Sequence, residues 1–250
     1  MAKWSPNRDD ADMSGEYQLS DLAELRRAVY ALLGSLFLYP GEEEIEGVVA
    51  ASAGLRRQAD LAEAFSFFPR LRLVLELAEG AGDEARRRLE EEYLDLFAFS
   101  ASQPPCPPFE SAYVDGKPLG RGLVAVEVQR AYAASGVTLA SPGELPDHVA
   151  LELAFLSLLC AEEGQAWREA QVDQAASCLH REKAFHDQHL QRWFPTFARR
   201  VSLVAAPASL YRHLAEAARA FVVHDRDLIQ ALAEARSLYE AGNLAPRGRA

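Results

Sequence analysis

Cysteine is scarce: Cys106, Cys160 and Cys178 are the only three in 250 residues. An odd number without CxxC spacing supplies neither a disulfide framework nor a zinc knuckle, and it fits a reducing compartment, the cytoplasm. Positive charge is also short. With 26 Lys+Arg against 37 Asp+Glu, the formal net charge is −11. That balance disfavours nucleic acid and an anionic membrane surface as partners, and it favours a basic peptide or protein. No apolar run approaches the roughly 18–20 residues that a membrane helix needs. The sequence lacks GxSxG, a P-loop, GxGxxG, HExxH and the Glu-x-x-His repeats of di-iron bundles, so it carries none of these motifs of hydrolase, nucleotide or metal catalysis. No segment alternates with a period of two, so no strands are expected.

What remains is helical periodicity in a chain rich in alanine, leucine, glutamate and arginine. Leu22, Leu25, Val29, Leu32, Leu33, Leu36 and Phe37 recur at spacings of three and four, with Ser20 or Asp21 as a cap and Pro40-Gly41 as a stop. Arg26-Arg27 before the apolar stretch Ala28 to Tyr39 has the look of an export signal. Asp21 and Glu24 precede the pair, however, Glu42-Glu43-Glu44 follow, and no small-residue cleavage site closes the segment. It reads as a buried first helix in a chain that is not exported. Further helices are expected near 42–53, 58–79, 83–99, 121–135, 146–163, 168–181, 182–203, 207–223 and 225–241, broken at Gly54, Gly80 to Gly82, Gly136, Gly164 and Pro207. The expectation is an all-α, single-domain bundle of about ten helices over 16–242, with flexible tails at 1–15 and 243–250.

One segment breaks the rhythm. Ser100 to Gly120 carries Pro104, Pro105, Pro107, Pro108 and Pro118, and it cannot be helical throughout. Structureless connections of this length are usually functional or disordered. This one holds Cys106, Phe109 and Tyr113, which suits an ordered loop packed on the helices. Just before it, Tyr93, Leu96 and Phe97 share one helix face. Just after it, Glu144-Leu145-Pro146-Asp147-His148 opens a helix with Pro146 in the first turn, and His148 and Glu152 are spaced to pair. A histidine held beside a carboxylate can titrate near neutral pH. His186 and His189 sit on adjacent turns as amphipathic helix positions beside Trp193, with too few convergent ligands for a metal. Cys106 has no positive neighbour to activate it.

In order and spacing these pieces resemble the TorD/DmsD/NarJ family of redox-enzyme maturation chaperones, over residues 20–240. Tyr93-x-x-Leu96-Phe97 resembles the family's aromatic-x-x-Leu-Phe helix end. Pro108-Phe109-Glu110-Ser111-Ala112-Tyr113 is similar to its Pro-aromatic-Glu-Ser-x-Tyr loop, with Phe109 where some members have tryptophan or tyrosine. Pro146-Asp147-His148-x-x-x-Glu152-Leu153 resembles its Pro-Asp-His helix start, and His189-Leu190-x-x-Trp193 with Phe197 also fits.

The resemblance implies a non-catalytic, cofactor-free and metal-free chaperone. Its partner would be the twin-arginine signal peptide, or a related N-terminal segment, of a molybdoenzyme catalytic subunit, held back from export until the cofactor is loaded. It implies peptide binding by Tyr93, Leu96, Phe97, Pro108, Phe109, Asp147 and His148, while Glu110, Ser111, Tyr113 and Glu152 match the pattern in a binding or a structural role. The residues suit such a partner in their own right: an aromatic groove for an apolar stretch, formed where the stiff turn around Phe109 meets the start of the Asp147 helix, with carboxylates on Glu110, Asp147 and Glu152 at its mouth for guanidinium groups. A monomer is expected, with a domain-swapped dimer open. Two other readings are a small helical metal-dependent hydrolase using Asp147, His148 and Glu152, and a permanent structural subunit of an oxidoreductase. The client's identity, and any contact with molybdopterin or a nucleotide, stay undetermined at this point.

Overall fold

The computed structural model describes residues 18–79, 83–98, 103–116, 122–139 and 145–240, so the expected tails at 1–15 and 243–250 lie outside the described residues. Among the described residues the chain is all-α, and its one β feature is an isolated antiparallel bridge between Phe109 and His148. Among the described residues no helix is long and apolar enough to cross a membrane.

Helix α1 (Leu19–Leu36) buries the stripe Leu25, Val29, Leu32, Leu33 and Leu36 against α8 (Val149–Arg168). Small residues let the two backbones approach at both ends of the contact. A Cβ on Gly34 would stand 3.2 Å from the Ala150 carbonyl oxygen, and one on Gly164 would stand 3.4 Å from the Ala23 Cβ. These two pairings run in opposite chain order, so α1 and α8 are antiparallel. Overpacking a close contact typically costs about 1–3 kcal/mol. Gly34→Leu is therefore expected to lower the melting temperature by several degrees, read by thermal circular dichroism.

Around this pair sit α2 (Glu42–Arg57), α3 (Ala59–Ala62), α4 (Phe68–Glu79), α5 (Asp83–Phe97), α6 (Glu110–Val114), α7 (Leu123–Ala134), α9 (Val172–Phe185), α10 (Gln191–Val204) and α11 (Leu210–Glu240). Several boundaries differ from expectation, and Gly54 and Gly164 break no helix, since α2 runs through the one to Arg57 and α8 through the other to Arg168. The stretch 58–79 is two helices, because Phe65 and Phe67 turn to stack at 5.5 Å and Phe67 packs on Phe221. The expected break near 224 does not occur: α11 is continuous, with Asp225 turned into the core. Between α9 and α10 the rod does not stop but widens into one π turn, His186–Leu190. Pro195 follows one turn later inside α10, where it has no N–H to give the Gln191 carbonyl. The π turn brings both His186 and His189 to the buried side. The core above it is aromatic: Phe37, Phe97, Trp193, Phe194, Phe197 and Tyr211 are all buried.

Candidate functional site

The proline-rich segment is ordered over its described part. Pro104, Cys106, Pro107 and Pro108 are buried, and the Cys106 N–H donates to the Leu96 carbonyl at 2.9 Å, which pins the loop to the end of α5. Burial pushes the Cys106 thiol up to about 11, so it is an inert packing group. The Val149 N–H donates to the Pro108 carbonyl at 2.9 Å and the Glu110 N–H to the Asp147 carbonyl at 3.0 Å. This pairing sets the rings of Phe109 and His148 edge to face at 5.1 Å. The stiff turn at Phe109 and the start of α8 thus meet, as expected.

The polar groups here do different work from that anticipated. Helix α8 begins at Val149 rather than at Pro146, because Asp147 is engaged elsewhere: its Oδ2 accepts the Ser111 N–H at 3.0 Å and so caps α6 from outside. His148 caps α8, its Nδ1 accepting the Ala150 N–H at 3.2 Å, and it does not pair with Glu152. Burial pushes the His148 imidazole down to about 4, so it stays neutral instead of titrating near pH 7. Glu152 takes the Trp193 indole N–H at 3.0 Å, and Glu110 meets His189 Nδ1 at 3.0 Å. Burial, then the neighbouring Glu110, push the Glu152 carboxyl well above its ordinary range despite the Trp193 donor.

Glu110, Asp147 and Glu152 are all fully buried, so their carboxylates lie behind the loop and not at the mouth of a groove. Glu110 Oε1, Ser111 Oγ, Tyr113 Oη, Asp147 Oδ1 and Glu152 Oε1 are buried without a partner among the described residues. The half-buried faces belong to Tyr93, Phe109, Tyr113 and His148, while Leu96, Phe97 and Pro108 are buried behind them. Ring contacts join these places: Tyr93 to Phe97 at 5.2 Å, Phe97 to Phe197 at 6.0 Å, Phe197 to Tyr113 at 6.1 Å. Beside Tyr93, whose hydroxyl burial pushes up to about 12, is an apolar cavity of about 90 Å³ walled by Leu36, Leu38, Val48, Leu89 and Tyr211, with Glu44 in its lining.

A second polar network was missed in the sequence. Arg26 is buried, its Nη1 donating to Glu163 at 2.6 Å, its Nε to Asp225 at 2.5 Å and its Nη2 to Glu182. The Tyr30 hydroxyl donates to Asp225 at 2.6 Å and lies 2.6 Å from His186 Nε2. The Trp167 indole N–H satisfies the other oxygen of Glu163 at 2.8 Å. Burial opposes charge on Asp225, but the Arg26 guanidinium overcomes it and holds that carboxyl well below its usual range. For Glu182 burial wins over Arg26 and pushes the carboxyl up to about 8. The available signal was positional: Arg26 falls on the same helix face as Leu22, Leu25, Val29 and Leu33, a charge inside an apolar stripe.

Among the described residues, the group of metal-type ligands that lie together is Cys160, Glu163 and Glu182, within 4.8 Å of one another. Arg26 is already the cation serving those carboxylates. The hydrolase set Asp147, His148 and Glu152 is dispersed onto Ser111, Ala150 and Trp193.

Residues 52–199 match the family described as nitrate reductase delta subunit. The chaperone protein TorD of Vibrio cholerae is 28% identical over 218 residues, spanning 86% of this chain and 96% of that protein. The selenate reductase assembly chaperone of Thauera selenatis is 31% identical over 125 residues, 49% of this chain and 62% of that protein. The chlorate reductase assembly chaperone of Ideonella dechloratans is 30% identical over 127 residues, 50% of this chain and 64% of that protein. The fold is shared with a crystal structure of a redox enzyme maturation protein from Archaeoglobus fulgidus, at TM-score 0.51 and 21% identity, covering 85% of this chain and 99% of that one.

Proposed function

The chain belongs to the nitrate reductase delta subunit family, the TorD/NarJ-type redox-enzyme maturation chaperones rather than enzymes, and on that premise we propose that it works in the cytoplasm on the N-terminal signal segment of a molybdenum-cofactor oxidoreductase. It binds the twin-arginine signal peptide, or the equivalent segment, of the catalytic subunit and keeps it from export while the cofactor is inserted. The observation that carries this reading is the backbone bridge at Phe109 and His148, which seats the half-buried Phe109 ring beside the start of α8, next to ring contacts that join half-buried Tyr113 and Tyr93 through buried Phe197 and Phe97.

An apolar, helix-prone peptide lies along Tyr93, Phe109, Tyr113 and His148, with Leu96, Phe97 and Pro108 as the wall beneath. Asp147, Ser111, Glu110 and Glu152 hold that wall in place from inside. The arginines of the peptide are met by carboxylates of the α5 surface, where Glu91 and Asp95 are exposed one turn apart beside Tyr93 and the half-exposed Leu94. The net charge of −11 draws a basic peptide in. Because the peptide must be handed on, affinity is on the order of micromolar.

The double variant Phe109→Ala with Asp147→Asn is expected to weaken binding of a synthetic twin-arginine peptide by about tenfold or more in isothermal titration, with helicity unchanged. A peptide with its two arginines replaced by glutamine binds more weakly, and added salt narrows the difference between the two peptides. Unchanged affinity in the double variant removes this face from the site.

A further inference from the structure

Between the end of α9 with its π turn and the middle of α11 lies a cavity of about 140 Å³ that shares no residue with the peptide face. Its floor is His186, 1% exposed, beside fully buried Ile229, and its rim carries Lys183, Asp187, Arg226, Asp227 and Gln230. We propose that this cavity binds a small α-amino acid as its zwitterion, the carboxylate on Arg226 and the ammonium on His186 and Asp227.

The order of protons in the floor sets the first requirement. Tyr30 has one hydroxyl proton and gives it to Asp225 at 2.6 Å, a carboxylate that Arg26 keeps ionised. The 2.6 Å contact between Tyr30 Oη and His186 Nε2 therefore takes its proton from the ring. With Nε2–H held in this way, the neutral imidazole has its lone pair on Nδ1, which is buried without a partner among the described residues. An orphaned acceptor in the floor of a cavity is satisfied by a donor placed there.

The rim sets the second. It holds two cations and two carboxylates, so its net charge is zero, but these groups are unequally engaged. Lys183 Nζ donates to Asp187 at 2.5 Å. Arg226 Nε stands 3.7 Å from the same carboxylate, beyond hydrogen-bond reach, and its guanidinium gives no hydrogen bond among the described residues. Asp227 has no ion-pair partner among them. Gln230 Nε2 donates to Glu234, which leaves the amide oxygen of Gln230 as a further acceptor. What remains for a ligand is one guanidinium fork and three acceptors. A plain anion leaves the acceptors unmet, and a plain cation faces Arg226 and Lys183. A carboxylate and an ammonium on one carbon meet both sets, the first bidentate on Arg226 and the second through its three N–H groups.

The third requirement is size. A cavity of roughly 150 Å³ accepts benzene, about six non-hydrogen atoms, so the space here suits glycine, alanine or serine, with Ile229 to cover the carbon atoms.

The test uses the full-length protein with isotope-labelled histidine rings and follows His186 Nδ1 by nuclear magnetic resonance. The probes are alanine, and acetate and methylammonium as its two halves, at matched ionic strength. A saturable shift of Nδ1 with alanine is expected, at an affinity about tenfold or more above that of either half. Arg226→Gln and Asp227→Asn should each weaken alanine binding by about tenfold; both side chains are exposed, so the fold is not at stake. Arg219→Gln, which removes an exposed charge of α11 outside the cavity, should leave binding within about twofold. The site is overturned by the absence of saturation with alanine, by acetate or methylammonium binding as tightly as alanine, or by Arg226→Gln and Asp227→Asn variants that bind like Arg219→Gln.

Discussion

Arg26→Met is expected to destabilise the protein by about 3–5 kcal/mol, the cost of removing one partner from a buried ion cluster. Methionine fills the space of the apolar stem but not that of the guanidinium, so some packing is lost along with the charge. What the variant leaves behind is Glu163, Glu182 and Asp225 with no cation among them, each at most 1% exposed. Urea unfolding measures the change as a fall in midpoint at nearly constant slope.

The cluster also carries a pH signature whose sign is fixed. In the folded protein Glu182 holds its proton up to about 8, whereas in the unfolded chain it loses it in the ordinary carboxylate range. Between those limits the folded state binds the extra proton, so stability falls as pH rises through that window and is flat above it. Glu163, also pushed up by burial, adds to the same slope. Asp225 is shifted downward, so its contribution is present at neutral pH and is lost only as pH falls through its depressed value. Glu182→Gln should therefore flatten the stability profile between pH 5 and 8, while Asp225→Asn should be costly throughout that range. A wild-type profile that rises across that window would show that Glu182 is ionised in the fold.

How much of this was legible in the sequence follows from what each residue type reports. Helices with long apolar stripes, such as α1 and α8, announce themselves because burial and periodicity agree. The meeting of Phe109 with the start of α8 was also legible, because proline and aromatic residues in a loop imply an ordered wall. Illegible was where charges go. Glu110, Asp147 and Glu152 read as surface carboxylates because acidic residues usually are, yet each is consumed by a donor distant in sequence: His189, Ser111 and Trp193. The same applies to Arg26, whose partners lie 137, 156 and 199 residues away. The π turn left no composition cue either; only the paired inward histidines betray it.

Trp193→Ala is expected to cost about 3–5 kcal/mol, as for other fully buried large aromatics, and it separates support of the aromatic face from the charge beside it. Trp193 is fully buried, packs against Tyr113 at 5.5 Å and Phe197 at 5.4 Å, and gives its indole N–H to Glu152. Removing it takes away the backing of α6 as well as core volume, so twin-arginine peptide affinity should fall by about tenfold at temperatures where the variant is still folded. Glu152→Gln is the complementary change. Burial keeps the Glu152 carboxyl well above its ordinary range, so at neutral pH it is a neutral acid accepting one N–H, a role an amide oxygen fills equally well. That variant should stay within about 1 kcal/mol of wild type at pH 7, gain relative stability as pH rises, and bind peptide within about twofold of wild type. A large loss of peptide affinity in Glu152→Gln, with stability intact, would mean instead that this carboxylate is ionised and reaches the peptide arginines, and that the loop at Phe109 opens to admit them.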